Sequence, residues 1–309
     1  MKVLSLFDGI SCGMVALERA GIPVERYVAY EIDKNAIKVS MHNYPQIEHC
    51  GDVTKADFTQ HKGFDLLIGG SPCTYWSIAK AGRETTPDGI GGKLFMEYVR
   101  ALRESDCKYF LYENNNSIHQ NIKDFISEQL GVQPIMINSA LVSAQQRKRC
   151  YWTNIPSICQ PENEAILLKD ILESGISWQD KSYCMTASYD GAVFGNTMQR
   201  SQRSMIAEPI RIGQYGNGGQ GQRIYSVRGK SVTLSANGGG QGAKTGLYKI
   251  DLPDGDYIIR KLTPVEAERL QTLPDNYTEG ISKTQRYKCI GNGWTVDVIA
   301  HILKGLKEA

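Results

Sequence analysis

A cysteine and a glutamate stand out among the residues that could do chemistry. Cys73 closes the segment Gly69-Gly-Ser-Pro-Cys73, directly after an apolar run at 64–68, and Glu113 follows the apolar run at 109–112. A thiolate is a strong nucleophile, and an acid beside it could hold the same ligand. Each residue alone also has an ordinary interpretation, because most single cysteines pack as small apolar groups and a glutamate after a strand is often surface. The pair indicates a site only if the fold brings the two together.

Three further features, in chain order, are typical of an adenosine site. The segment Phe7-Asp-Gly-Ile-Ser-Cys-Gly13 lies where a first strand should turn into a helix, and Glu31 ends the second strand. Asp52 follows a third, short strand, so that the apolar run at 64–68 is the fourth. Carboxylates at such positions accept hydrogen bonds from ribose hydroxyls, and Asp52 could accept one from an adenine amine. The glycine spacing departs from Gly-x-Gly-x-x-Gly, which argues against a nicotinamide dehydrogenase.

The elements that must position these residues alternate along the first half of the chain. Apolar runs at 3–7, 27–30, 64–68, 109–112 and 150–152 predict strands, and apolar spacing of three and four predicts helices at 11–20, 34–42, 93–104 and 118–130. This alternation predicts an α/β fold, a doubly wound and mostly parallel sheet. Ligands bind such sheets at the carboxyl ends of the strands, where the candidate residues lie.

The amino-acid composition changes between 173 and 259, where glycine, asparagine, glutamine and serine are frequent. This region contains two similar stretches, Asn217-Gly-Gly-Gln-Gly221 and Asn237-Gly-Gly-Gly-Gln-Gly242. We expect exposed loops on a β framework. Thr263-Pro-Val-Glu266 then predicts a capped helix to about Leu270, and a last helix should follow Gly291-Asn-Gly293. The sequence therefore predicts a catalytic domain formed by 1–172 and 260–309, with 173–259 inserted as a smaller, loop-rich β domain.

Composition excludes several classes of protein. The 309 residues are 41% hydrophobic and 22% charged, with a formal net charge of +2, as in an ordinary globular protein. No apolar run approaches the ~20 residues of a membrane span. The eight cysteines form no Cys-x-x-Cys pair, which argues against a zinc ribbon or a disulfide scaffold and favours a reducing, intracellular setting. We expect no metal site.

The motifs taken in order resemble those of the DNA cytosine-5 methyltransferases, in particular bacterial and phage or prophage members. The resemblance rests on the following elements: Phe7-x-Gly9, Glu31, Asp52, Pro72-Cys73, Glu113-Asn114, Gln145-x-Arg147-x-Arg149 and Gly291-Asn292. It covers roughly 1–155 and 260–309, and it implies an S-adenosylmethionine-dependent methyltransferase, with S-adenosylhomocysteine as product. The segment 173–259 would then be the target-recognition domain.

The resemblance also implies roles for individual residues. Cys73 would add to carbon 6 of a flipped-out cytosine, Glu113 would contact the ring nitrogen and exocyclic amine, and Arg149 the carbonyl oxygen. Arg147 would position the cysteine loop or a phosphate. The implied cofactor pocket contains Phe7, Gly9, Gly13, Glu31, Ile32, Asp52, Val53, Pro72 and Asn292.

Candidate DNA contacts lie in the glycine- and glutamine-rich region and beside the catalytic motifs. Between 175 and 259 there are nine Lys and Arg against six Asp and Glu, an excess compatible with phosphate contact. The candidates are Ser77, Gln145, Arg200, Arg203, Gln220, Arg223 and Gln241.

Two positions depart from the family pattern, and other functions stay open. Ser71 stands where many members have proline, and Asn115 where valine is usual. An RNA cytosine methyltransferase would use the same chemistry, and a catalytically inactive DNA-binding regulator could share the fold. We expect a monomer that acts on double-stranded DNA, without a membrane, in the cytoplasm or nucleoid of a bacterium or phage-infected host. A restriction endonuclease of the same specificity would be its companion in a restriction–modification pair.

Overall fold

A mixed sheet forms the centre of the protein. The computed structural model describes residues 1–77, 82–193, 201–209, 211–214, 223–225 and 257–308. The strand order of the sheet is β3-β2-β1-β4-β5-β7-β6. The strands from β3 to β5 are parallel, whereas β7 runs antiparallel to both of its neighbours. The strands are β1 (Lys2–Leu6), β2 (Arg26–Tyr30), β3 (Glu48–His49), β4 (Leu66–Gly69), β5 (Tyr109–Asn115), β6 (Ile135–Asn138) and β7 (Lys148–Thr153).

Helices cover both faces of this sheet because successive strand residues point to opposite sides. Val3 belongs to one apolar cluster, together with Leu17 and Ile299, and Leu4 belongs to the other, together with Phe95 and Ile122. The C-terminal helices thus complete a face begun by the N-terminal ones. The helices are α1 (Cys12–Arg19), α2 (Lys34–Asn43), α3 (Ile90–Ser105), α4 (Gln120–Leu130), α5 (Pro264–Leu270), α6 (Lys283–Asn292) and α7 (Val296–Lys304).

The described part of the middle region contains short antiparallel strands. The strand β8 (Met205–Pro209) pairs with β11 (Tyr257–Lys261), and β9 (Arg211–Gln214) pairs with β10 (Arg223–Tyr225). A third apolar cluster joins Met185 and Ile206 to Leu270 and Ile290, so residues of the middle region share a core with residues that follow it. Every helix in the described ranges is too short or too polar to cross a bilayer.

The predicted fold class is confirmed, and so are the capped start of α5 and the five predicted strands, to within a few residues at their ends. Thr263 and Glu266 form the expected reciprocal cap. Two elements were missed. The last helix follows Gly291-Asn-Gly293 as predicted, but α6, which ends at Asn292, was not predicted. The sequence of α6, Lys-Thr-Gln-Arg-Tyr-Lys-Cys-Ile-Gly-Asn, carries little apolar periodicity. The edge strand β6 is short and half-exposed, and it gave no clear signal.

Candidate active site

A cleft of about 340 Å³ opens at the carboxyl ends of β1, β2, β4 and β5. The strand order reverses between β1 and β4, which is where a doubly wound sheet binds its ligands. Turns after β1, β2, β3 and β4, the end of β5 and the segment from the end of α6 to Trp294 line the cleft. The predicted residues that line it are Phe7, Gly9, Glu31, Ile32, Asp52, Val53, Pro72, Glu113, Arg147, Arg149 and Asn292.

Glu31 holds two of these turns together. Its Oε2 accepts a hydrogen bond from the backbone N–H of Gly9 at 2.8 Å, and its Oε1 accepts from those of Ile32 and Asp33 at 2.7 and 2.8 Å. Gly9 has a left-handed φ of 62°, and a Cβ there would face open space. Each carboxylate oxygen has two acceptor sites. The Glu31 side chain can therefore build the cleft and still accept a hydroxyl donor from a ligand.

Asp52 and Ile32 form another part of the wall. Asp52 caps a short 3₁₀ turn by accepting from the N–H and the hydroxyl of Thr54, both at 2.9 Å, and these hydrogen bonds lower the pKa of Asp52. The carboxylate therefore stays an acceptor near neutral pH. Ile32 is 71% exposed, an unusual position for a large apolar side chain, and it lies at the cleft.

Asp8 also lines the cleft, although it was not among the predicted site residues. Its carboxylate accepts from the hydroxyls of Ser5 and Ser11 at 2.6 and 2.5 Å and from Tyr27 at 2.7 Å. Burial raises the pKa of Asp8, and these three hydrogen bonds oppose that effect. Its position two residues after the end of β1 could have indicated a ligand contact. The segment Phe7–Gly13 was instead interpreted from the spacing of its glycines.

Gly13, predicted to bind cofactor, is not among the described residues that line the cleft. It lies in α1 with its Cα turned to the sheet, where a Cβ would stand 2.4 Å from Ile68 Cδ1 and 2.9 Å from the Tyr27 hydroxyl. The prediction is therefore corrected. Gly13 lets helix and sheet pack closely.

The cysteine loop and Glu113 lie against each other at the next part of the cleft. A Cβ on Gly70 would stand 2.8 Å from the carbonyl oxygen of Glu113 and 3.1 Å from its Oε2. Ser71 and Tyr112 share a hydrogen bond of 2.7 Å, which gives the unusual Ser71 a partner, and Asn114 donates to the Ser71 carbonyl at 3.4 Å.

The backbone of Cys73 begins a short 3₁₀ helix, Cys73–Tyr75, while its side chain lies outside the described part of the chain. Its neighbours Pro72 and Thr74 both line the cleft. The loop that carries the candidate nucleophile therefore borders the same cavity as the candidate acid.

Both oxygens of the Glu113 carboxylate have partners. Arg149 Nε pairs with Oε1 at 2.8 Å, and the indole Nε1 of Trp294 donates to Oε2 at 3.1 Å. The pairing follows from the register, since Arg149 lies opposite Asn115 in the β5–β7 ladder and so reaches Glu113 two residues away on the same face. Asn115 also accepts from Arg149 Nη1 at 3.4 Å. Trp294 was not predicted, because no local pattern connects it to β5.

Arg147 is only 4% exposed and holds backbone segments together. Its guanidinium donates to the carbonyls of Met185 and Gly293, both at 2.9 Å. Burial raises the pKa of the Cys184 thiol, but Arg147 and Arg149 outweigh that effect and the pKa lies below its ordinary value. Arg147 thus ties the middle region to the segment that lines the cleft, and its predicted role toward the cysteine loop or a phosphate stays a prediction.

The predicted DNA contacts divide into three groups. Gln145 is corrected: it is fully buried, and its amide bonds to Leu270, Gln271 and Met185, so it cannot reach DNA. Ser77 is half-buried after the cysteine loop, and Arg203 donates to Gly191 and Ser188 at 2.9 and 3.0 Å. The remaining predictions, which concern Arg200, Gln220, Gln241 and the side chain of Arg223, lie outside the described residues.

Comparison with known proteins agrees with this geometry. The family described as C-5 cytosine-specific DNA methylase matches residues 1–308. The chain is 29% identical over 320 residues to the Type II methyltransferase M.HhaI of Haemophilus parahaemolyticus, covering 98% of this chain and 93% of that protein. It is 25% identical over 431 residues to the orphan methyltransferase M.SPRI of Bacillus phage SPR, covering 99% and 97%.

Solved structures show the same fold. The Entamoeba histolytica methyltransferase EhMeth has a TM-score of 0.71 at 17% identity, covering 100% of this chain and 98% of its own. The S. pombe Dnmt2 methyltransferase has a TM-score of 0.63 at 15% identity, covering 99% of both chains. At such identities the likeness concerns the architecture alone.

Proposed function

Because the chain belongs to the family of C-5 cytosine-specific DNA methylases, we propose that Cys73 is its nucleophile and that Glu113 and Arg149 hold the target base. The enzyme transfers a methyl group from S-adenosylmethionine to carbon 5 of cytosine in DNA. One observation carries the assignment of residues. The cysteine loop and Glu113 are in contact at the edge of a cleft that also contains Glu31 and Asp52.

The residues of the cleft fit the cofactor. Glu31 and Asp52 supply carboxylate acceptors for ribose hydroxyls and an adenine amine, and the exposed Ile32 supplies an apolar surface for the base. The remaining lining, including Phe7, Gly9 and Asn292, would enclose the rest of the molecule. When bound, the cofactor supplies an electrophilic methyl group on a sulfonium.

The chain's own residues activate the base, since carbon 5 of cytosine is a weak nucleophile. The Cys73 thiolate forms a bond to carbon 6, and the electron pair of the 5,6 double bond moves into the ring toward carbon 5. Glu113 holds the ring nitrogen and exocyclic amine, and Arg149 holds the carbonyl oxygen, so charge that develops on the ring is stabilised. After methylation, water or another base removes the carbon 5 proton, the double bond reforms, and the thiolate leaves.

Glu113 already has partners in this geometry, and that shapes its role. Arg149 Nε and Trp294 Nε1 fix the two carboxylate oxygens in place before a base arrives. A carboxyl group has further acceptor capacity, so the exocyclic amine can bind without breaking either contact. The ring nitrogen is itself an acceptor, so Glu113 donates to it only when one of its oxygens carries a proton. The donors therefore preorganise the acid, which is the arrangement that electrostatic catalysis requires.

The segment 173–259 is proposed as the target-recognition domain. A paired cytosine must leave the helix before Cys73 can reach it, at a cost of a few kcal/mol. Recognition loops in this segment would stabilise the extruded state through phosphate and base contacts. The described part of this segment lies beside the site. It contains Arg203, a candidate for phosphate contact, and Cys184, whose sulfur lies 4.0 Å from Nη2 of Arg149.

The proposed setting is a monomer acting on double-stranded DNA in the cytoplasm of a bacterium or phage-infected host, associated with the nucleoid. A restriction endonuclease of the same specificity would make the enzyme half of a restriction–modification pair. An orphan enzyme, as the name of M.SPRI describes that protein, would need none. Bisulfite sequencing of DNA from cells that express the chain identifies the methylated sequence.

Covalent trapping tests the assignment of the nucleophile. Duplex DNA containing 5-fluorocytosine should become attached to the wild-type chain in the presence of S-adenosylmethionine, because fluorine at carbon 5 prevents release of the thiol. Cys73→Ala should lose all attachment and all methyl transfer, while Cys159→Ala, which changes an exposed cysteine, should keep both. Methyl transfer by Cys73→Ala would refute the nucleophile. Labelling of a transfer RNA pool but not of DNA would refute the substrate.

A further inference from the structure

Glu84 makes an unusual set of contacts next to the cysteine loop. Its Oε2 accepts from the indole Nε1 of Trp76 and from the backbone N–H of Gly91, both at 3.1 Å, and its Oε1 accepts from the N–H of Ile90 at 3.0 Å. The two N–H groups belong to the first turn of α3, whose preceding residue Gly89 provides no side-chain cap. A single carboxylate therefore caps a helix and holds a tryptophan.

The surrounding sequence leaves room for this carboxylate. A Cβ on Gly89 would stand 2.2 Å from Glu84 Cδ, and a Cβ on Gly91 would stand 2.9 Å from its Oε2 and 2.4 Å from Trp76 Nε1. No side chain larger than hydrogen fits at either position without displacing Glu84 or the tryptophan. The pair of glycines and the glutamate thus form one packing unit.

This unit connects directly to the segment that carries Cys73. Trp76 is fully buried, three residues after Cys73, and the backbone N–H of Glu84 donates to the carbonyl of Tyr75 at 2.9 Å. Arg83 extends the connection to the loop after β5, because its Nη1 donates to the carbonyl of Ser117 at 2.6 Å. The cysteine loop is thereby tied to α3 and to the strand that carries Glu113.

We propose that Glu84 is a positioning residue for the reaction: it holds Trp76 against α3 and so sets where Cys73 stands relative to Glu113. This inference rests on the proposed function of Cys73. A nucleophile displaced by about 1 Å from its attack position can lose about a hundredfold in rate. The carboxylate suits the task because both of its oxygens only accept, whereas an amide would present one N–H₂ group to a donor.

The test compares variants that break the same unit in different ways. Glu84→Gln replaces one accepting oxygen with a donor, and Trp76→Phe removes the indole N–H while keeping an aromatic ring. Thr263→Ala is the matched control, since it removes the cap of α5, which lies outside the cysteine loop. The first-order rate of attachment to 5-fluorocytosine duplex is measured at saturating DNA and cofactor, together with the dissociation constant of S-adenosylhomocysteine.

We expect Glu84→Gln to slow attachment by about tenfold or more, and Trp76→Phe to slow it less, as for a displaced nucleophile. Cofactor affinity should stay within about twofold, because none of the cofactor contacts is altered. Thr263→Ala should lower stability and leave the attachment rate near that of wild type. Attachment of Glu84→Gln at the wild-type rate would overturn the inference.

Amide hydrogen exchange provides a readout that needs no catalysis. Exchange at Ile90, Gly91 and residues 73–77 should be faster in Glu84→Gln than in wild type, while exchange in α5 should not change. Equal exchange in both proteins would overturn the inference by itself. If the wild-type chain forms no adduct with DNA, the proposed function fails instead, and the exchange comparison still decides whether Glu84 holds the loop.

Discussion

The ion pair between Glu113 and Arg149 offers a quantitative test of how the site is built. Both side chains are only 11% exposed, and the Nε–Oε1 distance is 2.8 Å. Removing one partner of a buried pair leaves the other charge uncompensated, at a cost of about 3–5 kcal/mol. Glu113 would keep the hydrogen bond from Trp294, so we expect Arg149→Met to lower the free energy of unfolding by about 2–3 kcal/mol.

The chain contains a matched control for this experiment. Arg26 and Glu48 pair through the same atoms at 2.7 Å, and also through Nη2 and Oε2 at 2.7 Å, but their side chains are 43% and 48% exposed. Solvent screens such a pair, and measured surface pairs contribute about 0.2–1 kcal/mol. The two pairs therefore differ in burial and hardly at all in distance.

Urea denaturation of two double-mutant cycles separates the contributions. The first cycle combines Glu113→Gln with Arg149→Met, and the second combines Glu48→Gln with Arg26→Met. We expect a coupling energy of about 2 kcal/mol for the first pair and below about 1 kcal/mol for the second. The double variant Glu113→Gln/Arg149→Met should be more stable than Arg149→Met alone, although inactive. Equal coupling in the two cycles would refute the conclusion that burial makes this pair a preorganised unit.

Two further predictions follow from other contacts. Trp294→Phe removes the N–H that binds Glu113 but keeps an aromatic ring. Because hydrogen bonds to charged groups contribute about 1.5–3 kcal/mol, we expect single-turnover methylation to slow by about tenfold or more while cofactor affinity stays unchanged. A wild-type rate would contradict this role. Burial acts to raise the pKa of Asp33, but hydrogen bonds from Lys288 and the Asn35 backbone outweigh burial and lower this pKa. The ionised Asp33 side chain therefore stabilises the fold fully above the ordinary pKa of 3.8, and this stabilisation is lost as pH falls through the lower folded-state pKa. The difference in melting temperature between wild type and Asp33→Asn should therefore shrink as pH falls below about 4, and a pH-independent difference would contradict it.

Local sequence was enough for much of the fold, and the family match over 1–308 confirms the resemblance on which the function was predicted. The capped start at Thr263 and the strand before Gly69 were recognisable because their signals lie within a few residues of chain. Helix α6 and strand β6 were missed because their formation depends on neighbours brought from elsewhere. In α6, Tyr287 and Ile290 pack into a core shared with Met185 and Leu168, far away along the chain.

The same distinction holds for the site. Residue types in order were sufficient to nominate Cys73, Glu113 and Glu31, because the chemistry of a thiol and two acids does not depend on distant residues. Only the tertiary structure decided that Gln145 is buried, that Gly13 packs on the sheet, and which residues surround Glu113. Trp294 reaches that carboxylate from 181 positions away, and the Arg149 pairing depends on the register of an antiparallel ladder. Local sequence determines what a side chain can do, whereas its partners follow from long-range packing that no short segment encodes.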